Sequence, residues 1–304
     1  MPLRVGFVIL AASLLVGCGG NAADQDNAAP AGAASPSPSA AVVSALPLPT
    51  GKAPTRTYQV ANRTDTYTRD GSRTLRTTTW YPKGTAGKFP VVLFSHGLNG
   101  LPEDFRPLLS KWAAAGFVVV APAYPNTSRN SGKFDIADVL NQPADGSFVL
   151  TQALAGPLKD IMDPERLGAA GHSAGGITTV GLFTTSRDPR LRSGVVFAGA
   201  AIGVGSGFSG AAVPLMFVHG DADEVVSYAS GKEIFDAAPW PKALFTLPGG
   251  DHSTAYMRES AKAYPAVAAS TLDFLRYSLY GDTAARGRLA ADAKPAGTLD
   301  DKLG

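Results

Sequence analysis

The segment with the clearest chemical potential runs from Gly171 to Gly175, reads GHSAG and matches the pattern G-x-S-x-G. A short apolar run precedes it, and a segment able to form a helix follows it. A nucleophile elbow needs this order, because a strained turn between a strand and a helix lifts a serine hydroxyl above the sheet. Small neighbours let the backbone approach closely. The pattern therefore predicts Ser173 as a nucleophile.

A serine nucleophile needs a base to take its proton and a third group to orient that base. The chain has four histidines, so elimination is possible. His172 adjoins the serine inside the turn, so its side chain is directed away from the hydroxyl. His96 and His219 each end an apolar strand just before a glycine. We therefore predict His252, in a loop after a later strand, as the base.

The orienting acid is expected between the serine and His252, at the end of a strand. Three carboxylates stand there: Asp221, Asp223 and Glu224. We predict Asp223, because it lies within the turn before two valines. Asp221 is expected to brace that turn through backbone hydrogen bonds, and Glu224 to face solvent.

Acyl transfer also needs two hydrogen-bond donors for the oxyanion. One predicted donor is the backbone N–H of Ala174, directly after the nucleophile. The other is the N–H of Leu98, in a loop after an early apolar strand, where Gly97 allows the chain to turn inward. His96 is expected to hold this loop together rather than to take part in the chemistry.

Residues for substrate binding are indicated less sharply. Tyr124, Asn126 and the segment 127–131 follow an apolar strand, at the sheet edge where ligands bind in such folds. An ordinary surface loop is the alternative there. Tyr256 is a further candidate because it lies near His252. The sequence has no cluster with metal-ligand spacing and no dinucleotide or phosphate-binding glycine pattern, so no metal or cofactor is predicted.

The elements that must position these residues alternate between strands and helices. Continuous apolar runs are typical of parallel strands buried on both faces, so an α/β class with right-handed crossovers is predicted. Besides a short strand before the elbow, the predicted strands are 57–61, 75–81, 91–95, 117–121, 194–198, 215–219 and 243–247. The predicted helices are 105–115, 135–141, 147–162, 173–185, 227–237 and 256–280. Residues 198–213 are too few for a large cap, so an open cleft is expected.

Three segments resemble the α/β-hydrolase superfamily: Phe89–Gly97, Ala115–Pro122 and Asp163–Gly176. Over about residues 56–280 the chain is similar to its dienelactone-hydrolase-like branch, which includes chlorophyllases, platelet-activating-factor acetylhydrolases and polyester-degrading cutinases. The resemblance implies the α/β-hydrolase fold, with a mostly parallel central sheet flanked by helices and no large cap domain. It also implies the order Ser…Asp…His along the chain.

The activity implied by this resemblance is cleavage of carboxylic esters through an acyl-enzyme. Ser173 would be the nucleophile, His252 the base and Asp223 the acid, with Leu98 and Ala174 as oxyanion donors. Dienelactone hydrolases proper use a cysteine nucleophile, and polyester-degrading cutinases usually have an aromatic residue where this chain has a leucine. Small-ester cleavage is therefore favoured over polyester cleavage. An acyltransferase with the same triad and a non-catalytic, ligand-binding surface lipoprotein are the alternatives.

The N-terminus indicates export. Arg4 and the apolar run of residues 5–17 predict a secretory signal, because the run is too short for a permanent membrane anchor. The run leads into Cys18, the single cysteine, and the sequence LVGC resembles a bacterial lipobox. This resemblance implies cleavage before Cys18 and its lipidation, hence anchoring in the bacterial cell envelope. An ordinary secretory signal, giving a secreted protein, and a signal anchor are the alternatives.

The remaining boundaries follow from composition. Residues 18–54, rich in Ala, Pro and Ser, are predicted to form a disordered tether between the lipidated cysteine and a catalytic domain at 55–282. Residues 283–304 are predicted to be a polar, loosely ordered tail. The formal net charge of +2, without a basic cluster, argues against nucleic acid as a partner. The expected partners are a small-molecule or lipid ester and, through the anchor, a membrane.

Overall fold

The computed structural model describes residues 45–304, which belong to one compact unit. The predicted signal at 1–17, the lipidation site Cys18 and the tether up to residue 44 lie outside the described residues. No helix in the part of the chain that the structure describes is long and apolar enough to cross a membrane.

The strands and helices follow one another along the chain in the alternation that the sequence predicts. The strands are β1 Val60–Arg69, β2 Arg73–Pro82, β3 Phe89–Ser95, β4 Val118–Ala123, β5 Met162–His172, β6 Leu191–Phe197, β7 Leu215–Gly220, β8 Lys242–Leu247 and β9 Thr298–Lys302. The α-helices are α1 Arg106–Ala114, α2 Gln142–Ala155, α3 Ala174–Gly181, α4 Tyr228–Ala237, α5 Thr254–Met257, α6 Tyr264–Tyr280 and α7 Thr283–Ala293. Short 3₁₀ helices span Pro102–Phe105, Ile136–Asn141 and Lys159–Ile161.

The strands form one sheet in the order β1-β2-β4-β3-β5-β6-β7-β8-β9. The six strands from β4 to β8 in that order are parallel, and antiparallel pairs join β1 to β2, β2 to β4, and β8 to β9. The fully buried strands are the apolar runs of the sequence, as expected for a sheet covered on both faces. The structure confirms the α/β-hydrolase class with a mostly parallel sheet, and residues 45–304 include no large cap domain.

Helices cover both faces of the sheet, and the side chains of each strand alternate between two apolar cores. In β3, Val92 and Phe94 face the core beneath α1, α5, α6 and α7, whereas Val91 and Leu93 face the core beneath α2, α3 and α4. Residues 198–214, between β6 and β7, contain neither a helix nor a strand. No helix is therefore inserted between β6 and β7 over the carboxyl ends of these parallel strands.

The C-terminal residues correct one prediction. The segment 283–304 is ordered, because Ala285, Leu289 and Ala293 recur at four-residue intervals and are buried on one side of α7. Asp282 caps this helix by accepting the amides of residues 284 and 285. Strand β9 then pairs with β8 at the sheet edge. The apolar stripe consists of only three residues within a polar segment. Composition alone therefore predicted a loosely ordered tail.

The first described residues correct a second prediction. The tether was expected to reach residue 54, but residues 45–54 lie on the domain. Ala45 pairs with Ala212, and Leu48 packs against the core beneath α1, α5, α6 and α7. The Ala53 amide donates to a carboxylate oxygen of Asp282 at 3.3 Å. A few apolar contacts are thus enough to order a segment whose composition resembles a linker.

Several element boundaries also differ from those predicted. Helix α2 begins at Gln142 rather than at residue 147, and the predicted helix 256–280 is divided into α5 and α6. Pro265 stands in the first turn of α6, where a missing amide proton has no cost, so the helix begins there. The segment predicted as a helix at 135–141 is a 3₁₀ helix capped by Asp135.

Candidate active site

The GHSAG segment forms a sharp turn between β5 and α3. Ser173 has φ +57° and ψ −120°, a strained conformation for a residue with a side chain, and its amide donates to the Phe197 carbonyl at 2.9 Å. A Cβ on Gly171 would lie 2.1 Å from the Gly175 carbonyl oxygen, and one on Gly175 would lie 1.9 Å from the Ser95 carbonyl oxygen. Only glycine fits at both positions, which explains the two fixed glycines of the pattern.

Asp223 and His252 are joined by a hydrogen bond. The distance from His252 Nδ1 to Asp223 Oδ2 is 2.7 Å, and the carboxylate is fully buried. Its other oxygen accepts the amides of Val225 and Val226 at 2.8 and 2.9 Å. Burial would raise the pKa of Asp223, but hydrogen bonds from His219, His252 and these two amides together hold that pKa well below its usual range. The carboxylate is therefore ionised and oriented toward the imidazole.

The two neighbouring carboxylates have other surroundings. Asp221 Oδ1 accepts the amide of Gly249 at 2.6 Å and so braces the loop that leads to His252. Glu224 is exposed to solvent. Of the three carboxylates considered after β7, Asp223 is the one bonded to an imidazole.

Ser173 and His252 line the same cleft, at the carboxyl ends of the parallel strands. The cleft has a volume of about 210 Å³. Its walls combine apolar side chains with one ion pair and the backbone of the loop after β3. They are formed by Gly97, Leu98, Asn99, Gly100, Asp104, Phe105, Arg129, His172, Ser173, His252, Ser253 and Met257.

The loop after β3 presents a free backbone donor to this cleft. A turn closes from the Gly100 amide to the Gly97 carbonyl at 3.0 Å, and Asn99 has φ +53°. The amide of Asn99 is occupied by the Thr127 carbonyl at 2.7 Å. The amides of Leu98 and Ala174, in contrast, meet no acceptor among the described residues. They are the two donors that the sequence predicts for an oxyanion.

His96 is buried and neutral beneath this loop. Its Nε2 accepts the Tyr124 amide at 3.1 Å, so its Nδ1 carries the proton and donates to the Gly97 carbonyl at 2.7 Å. Burial lowers the pKa of His96 to about 4. The imidazole thus ties the loop after β3 to the chain after β4 without carrying charge.

His172 contacts His252 rather than Ser173. Its Nε2 lies 2.6 Å from the His252 carbonyl oxygen, and since a carbonyl only accepts, Nε2 carries the proton. The two rings are 4.7 Å apart. Burial, followed by the charge of His252, lowers the pKa of His172 to about 3. His172 is therefore a neutral donor that fixes the backbone of the neighbouring histidine.

The structure does not place the expected substrate contacts in the cleft wall. Tyr124 is fully buried with its hydroxyl 2.7 Å from Ser95 Oγ, and Tyr256 is fully buried beneath His172. Asn126 is half-buried, and its backbone carbonyl accepts the Asp135 amide at 2.7 Å. Their position near the sheet edge predicts pocket residues, but the rings of Tyr124 and Tyr256 pack in the two apolar cores.

Other side chains line the cleft instead. Phe105 ends the 3₁₀ helix that precedes α1, and Met257 ends α5. Arg129 pairs with Asp104 at 2.5 Å. Arg129 belongs to the segment 127–131 that the sequence indicated, but nothing in the sequence singled it out. Phe105 stood in a predicted helix, and only the fold shows that the helix begins at the cleft. Among the residues described, no group of three potential metal ligands is present.

Comparison with known proteins agrees with this architecture. The uncharacterized protein YfhR of Escherichia coli K12 is 22% identical over 222 residues, covering 64% of this chain and 75% of that protein. YfhR of Escherichia coli O157:H7 shows the same values. The family model described as Chlorophyllase matches residues 48–205, just over half of the chain, and this region includes Leu98 and Ser173. The chain therefore belongs to the chlorophyllase family of α/β-hydrolases.

Proposed function

We propose that this hydrolase cleaves carboxylic esters with Ser173 as nucleophile, His252 as base and Asp223 as acid. The observation that carries the proposal is the 2.7 Å bond from His252 Nδ1 to the buried Asp223, beside a cleft that Ser173 and His252 share. With Nδ1 donating to the carboxylate, Nε2 is left to accept the serine proton. The strained elbow keeps the hydroxyl at the cleft surface.

The reaction runs in two steps through an acyl-enzyme. Ser173 Oγ attacks the ester carbonyl as its proton passes to His252, and the tetrahedral oxyanion accepts the amides of Leu98 and Ala174. The protonated imidazole then gives its proton to the leaving alcohol. Water, deprotonated by His252, attacks the acyl-enzyme and releases the acid. Asp223 stabilises the imidazolium in both steps.

The cleft favours a small or slender ester. Its volume of about 210 Å³ is modest, and Leu98, Phe105 and Met257 give it apolar walls. Arg129 and Asp104 neutralise each other at its edge. An uncharged acyl or alcohol group therefore suits the cleft better than a strongly charged one.

The test is hydrolysis of a p-nitrophenyl ester series of increasing acyl length by the full chain. Wild type is compared with Ser173→Ala and with Ser253→Ala, a matched control because Ser253 lines the same cleft. Ser173→Ala should lower kcat/KM by at least about 10³-fold, whereas Ser253→Ala should change it far less. A folded wild-type protein without activity, or a fully active Ser173→Ala variant, would refute the proposal.

A further inference from the structure

A buried chain of hydrogen bonds joins the loop after β3 to helix α3. Thr127, Gln142 and Thr178 are each fully buried, at 0% exposure. Gln142 Nε2 donates to Thr127 Oγ1 at 2.7 Å, and Thr178 Oγ1 donates to Gln142 Oε1 at 2.5 Å. The Thr127 carbonyl in turn accepts the Asn99 amide. The chain thus connects the neighbour of Leu98 with a residue one turn beyond Ala174.

The bonded groups belong to two units of the site, which also pack on each other at Gly97 and Gly175. The loop after β3 and the segment 127–129 form one unit, because the Asn99 amide donates to Thr127 and the Arg129 amide donates to the Gly100 carbonyl at 3.2 Å. Helix α3 is the other unit. Gln142, at the first position of α2, bonds to both units, and both ends of its amide are occupied.

The side-chain amide of Gln142 is an unusual group to bury completely, because it needs hydrogen-bond partners at both ends. A buried amide without partners is strongly unfavourable, whereas an apolar side chain of the same length needs no partners. Here each end of the amide meets a unit that carries one of the two oxyanion donors. The Leu98 amide lies in the first unit, and the Ala174 amide begins the second.

We propose that Gln142 is a positioning residue that sets the separation of the two oxyanion donors, acting through Thr127 and Thr178. The inference rests on the proposed ester hydrolysis by Ser173. Donors work only when both reach the oxyanion at hydrogen-bond distance, and a shift of about 1 Å costs up to about 100-fold in rate. Because the oxyanion exists in the transition state and not in the bound substrate, the loss falls on kcat rather than on KM.

The first test removes the bonds without changing side-chain size. Gln142→Met and Thr127→Val should each lower kcat about 10- to 100-fold, with KM within about twofold of wild type. Thr127→Ser keeps the hydroxyl and should retain most of the activity. Thr178→Val interrupts the same chain of hydrogen bonds from the α3 side and should lower kcat in the same way. It replaces either of the other variants if that variant does not fold.

A double variant and a transition-state analogue separate positioning from general loosening. Gln142→Met/Thr127→Val should cost no more than either change alone, because both break one connection. The affinity for a trifluoromethyl ketone, which forms a tetrahedral adduct on the serine, should fall by the same factor as kcat. A change that only loosened the fold would lower the melting temperature, but analogue affinity and kcat would not fall by the same factor.

Thr271→Val is the matched control, since Thr271 is a buried threonine in α6 whose hydroxyl bonds a backbone carbonyl at 2.8 Å. It should lower stability and leave kcat unchanged. The inference is wrong if Gln142→Met leaves kcat intact, if KM changes as much as kcat, or if Thr271→Val has the same kinetic effect. Failure of the proposed function is seen separately, as wild-type hydrolysis that is absent or independent of Ser173.

Discussion

At the scale of single residues, the histidine next to the proposed nucleophile has a supporting role. The His172 imidazole donates to the backbone carbonyl of His252, and both rings border the cleft. Its low pKa keeps it neutral, so it adds no positive charge beside the imidazole that the proposed mechanism protonates. Sequence reasoning predicted only that the His172 side chain points away from Ser173.

His172→Phe should keep the aromatic contact and lose the hydrogen bond to the His252 carbonyl. We expect kcat/KM for a soluble ester to fall by about tenfold, as for the loss of one well-formed hydrogen bond of 1–1.5 kcal/mol. The pH profile should keep its shape, because a group that is neutral above pH 4 does not titrate in the assay range. An acid limb displaced by the substitution would show instead that His172 takes part in proton transfer.

The candidate site illustrates what spacing along a sequence can predict. Ser173 was indicated by a local pattern whose glycines are required sterically, and His252 and Asp223 by chain order and elimination. The role proposed for Gln142 was not predicted, and Thr127 was indicated only as part of a possible substrate pocket. Their partners are 15 to 36 residues away, and the bonds depend on how one loop and two helices meet. Long-range pairing of ordinary polar residues leaves no periodic or compositional signal.

At the scale of elements, α7 and β9 complete the sheet edge next to the strand that leads to His252. β9 pairs with β8 from Lys242 to Thr246. The buried face of α7 lies against α6 and the core that α1, α5 and α6 also cover. An edge strand without a partner presents a row of open hydrogen-bond groups. The C-terminal elements therefore act as a structural cover rather than as a tail.

Leu289→Ala tests whether α7 is part of the cooperative unit. Leu289 is fully buried, so its truncation should lower the free energy of unfolding by about 2–4 kcal/mol in urea titrations. Ala290→Ser, on the exposed side of the same helix, should change it by less than about 0.5 kcal/mol. Equal stabilities for Leu289→Ala and wild type would mean that α7 unfolds separately from the rest.

The predictability of the elements follows the strength of their patterns. The apolar strands such as β3 and β7 were placed within two residues, because burial on both faces leaves a continuous run. β1 was misplaced, because the predicted strand 57–61 shares only its last two residues with Val60–Arg69, an edge strand with alternating polar residues. α7 and β9 depend on a few buried contacts, and a short stripe within a polar segment is not distinguishable from a linker by composition.

At the scale of the whole molecule, stability should depend on pH through two buried neutral histidines. His96 and His172 have pKa values of about 4 and 3 in the folded protein, below the value near 6.5 of an unfolded chain. A depressed pKa gives stability that is present above the unfolded value and is lost as the pH falls toward the folded one. Unfolding near pH 5 therefore takes up one proton at each histidine.

Other groups oppose this trend, so the comparison of variants is more informative than the wild-type curve. Burial raises the pKa of Asp292 to about 6, and that group contributes stability below the unfolded carboxyl value that is lost as the pH rises through about 6. Over the range from pH 4 to 6 its contribution has the opposite slope to that of the histidines. Such contributions cancel when the curve of unfolding free energy against pH for a variant lacking one histidine is subtracted from the wild-type curve.

We therefore expect His172→Phe to be less sensitive to acid than wild type. As the pH falls from 6 to 4, the free energy of unfolding should decrease for wild type by about 1.4 kcal/mol per pH unit more than for His172→Phe. This difference in slope corresponds to one proton. Urea titrations at half-unit steps measure both curves, and Leu289→Ala, which removes no titratable group, should give a curve parallel to wild type. Parallel curves for wild type and His172→Phe would mean that His172 is protonated alike in the folded and unfolded chains, and that its burial against His252 does not hold it neutral.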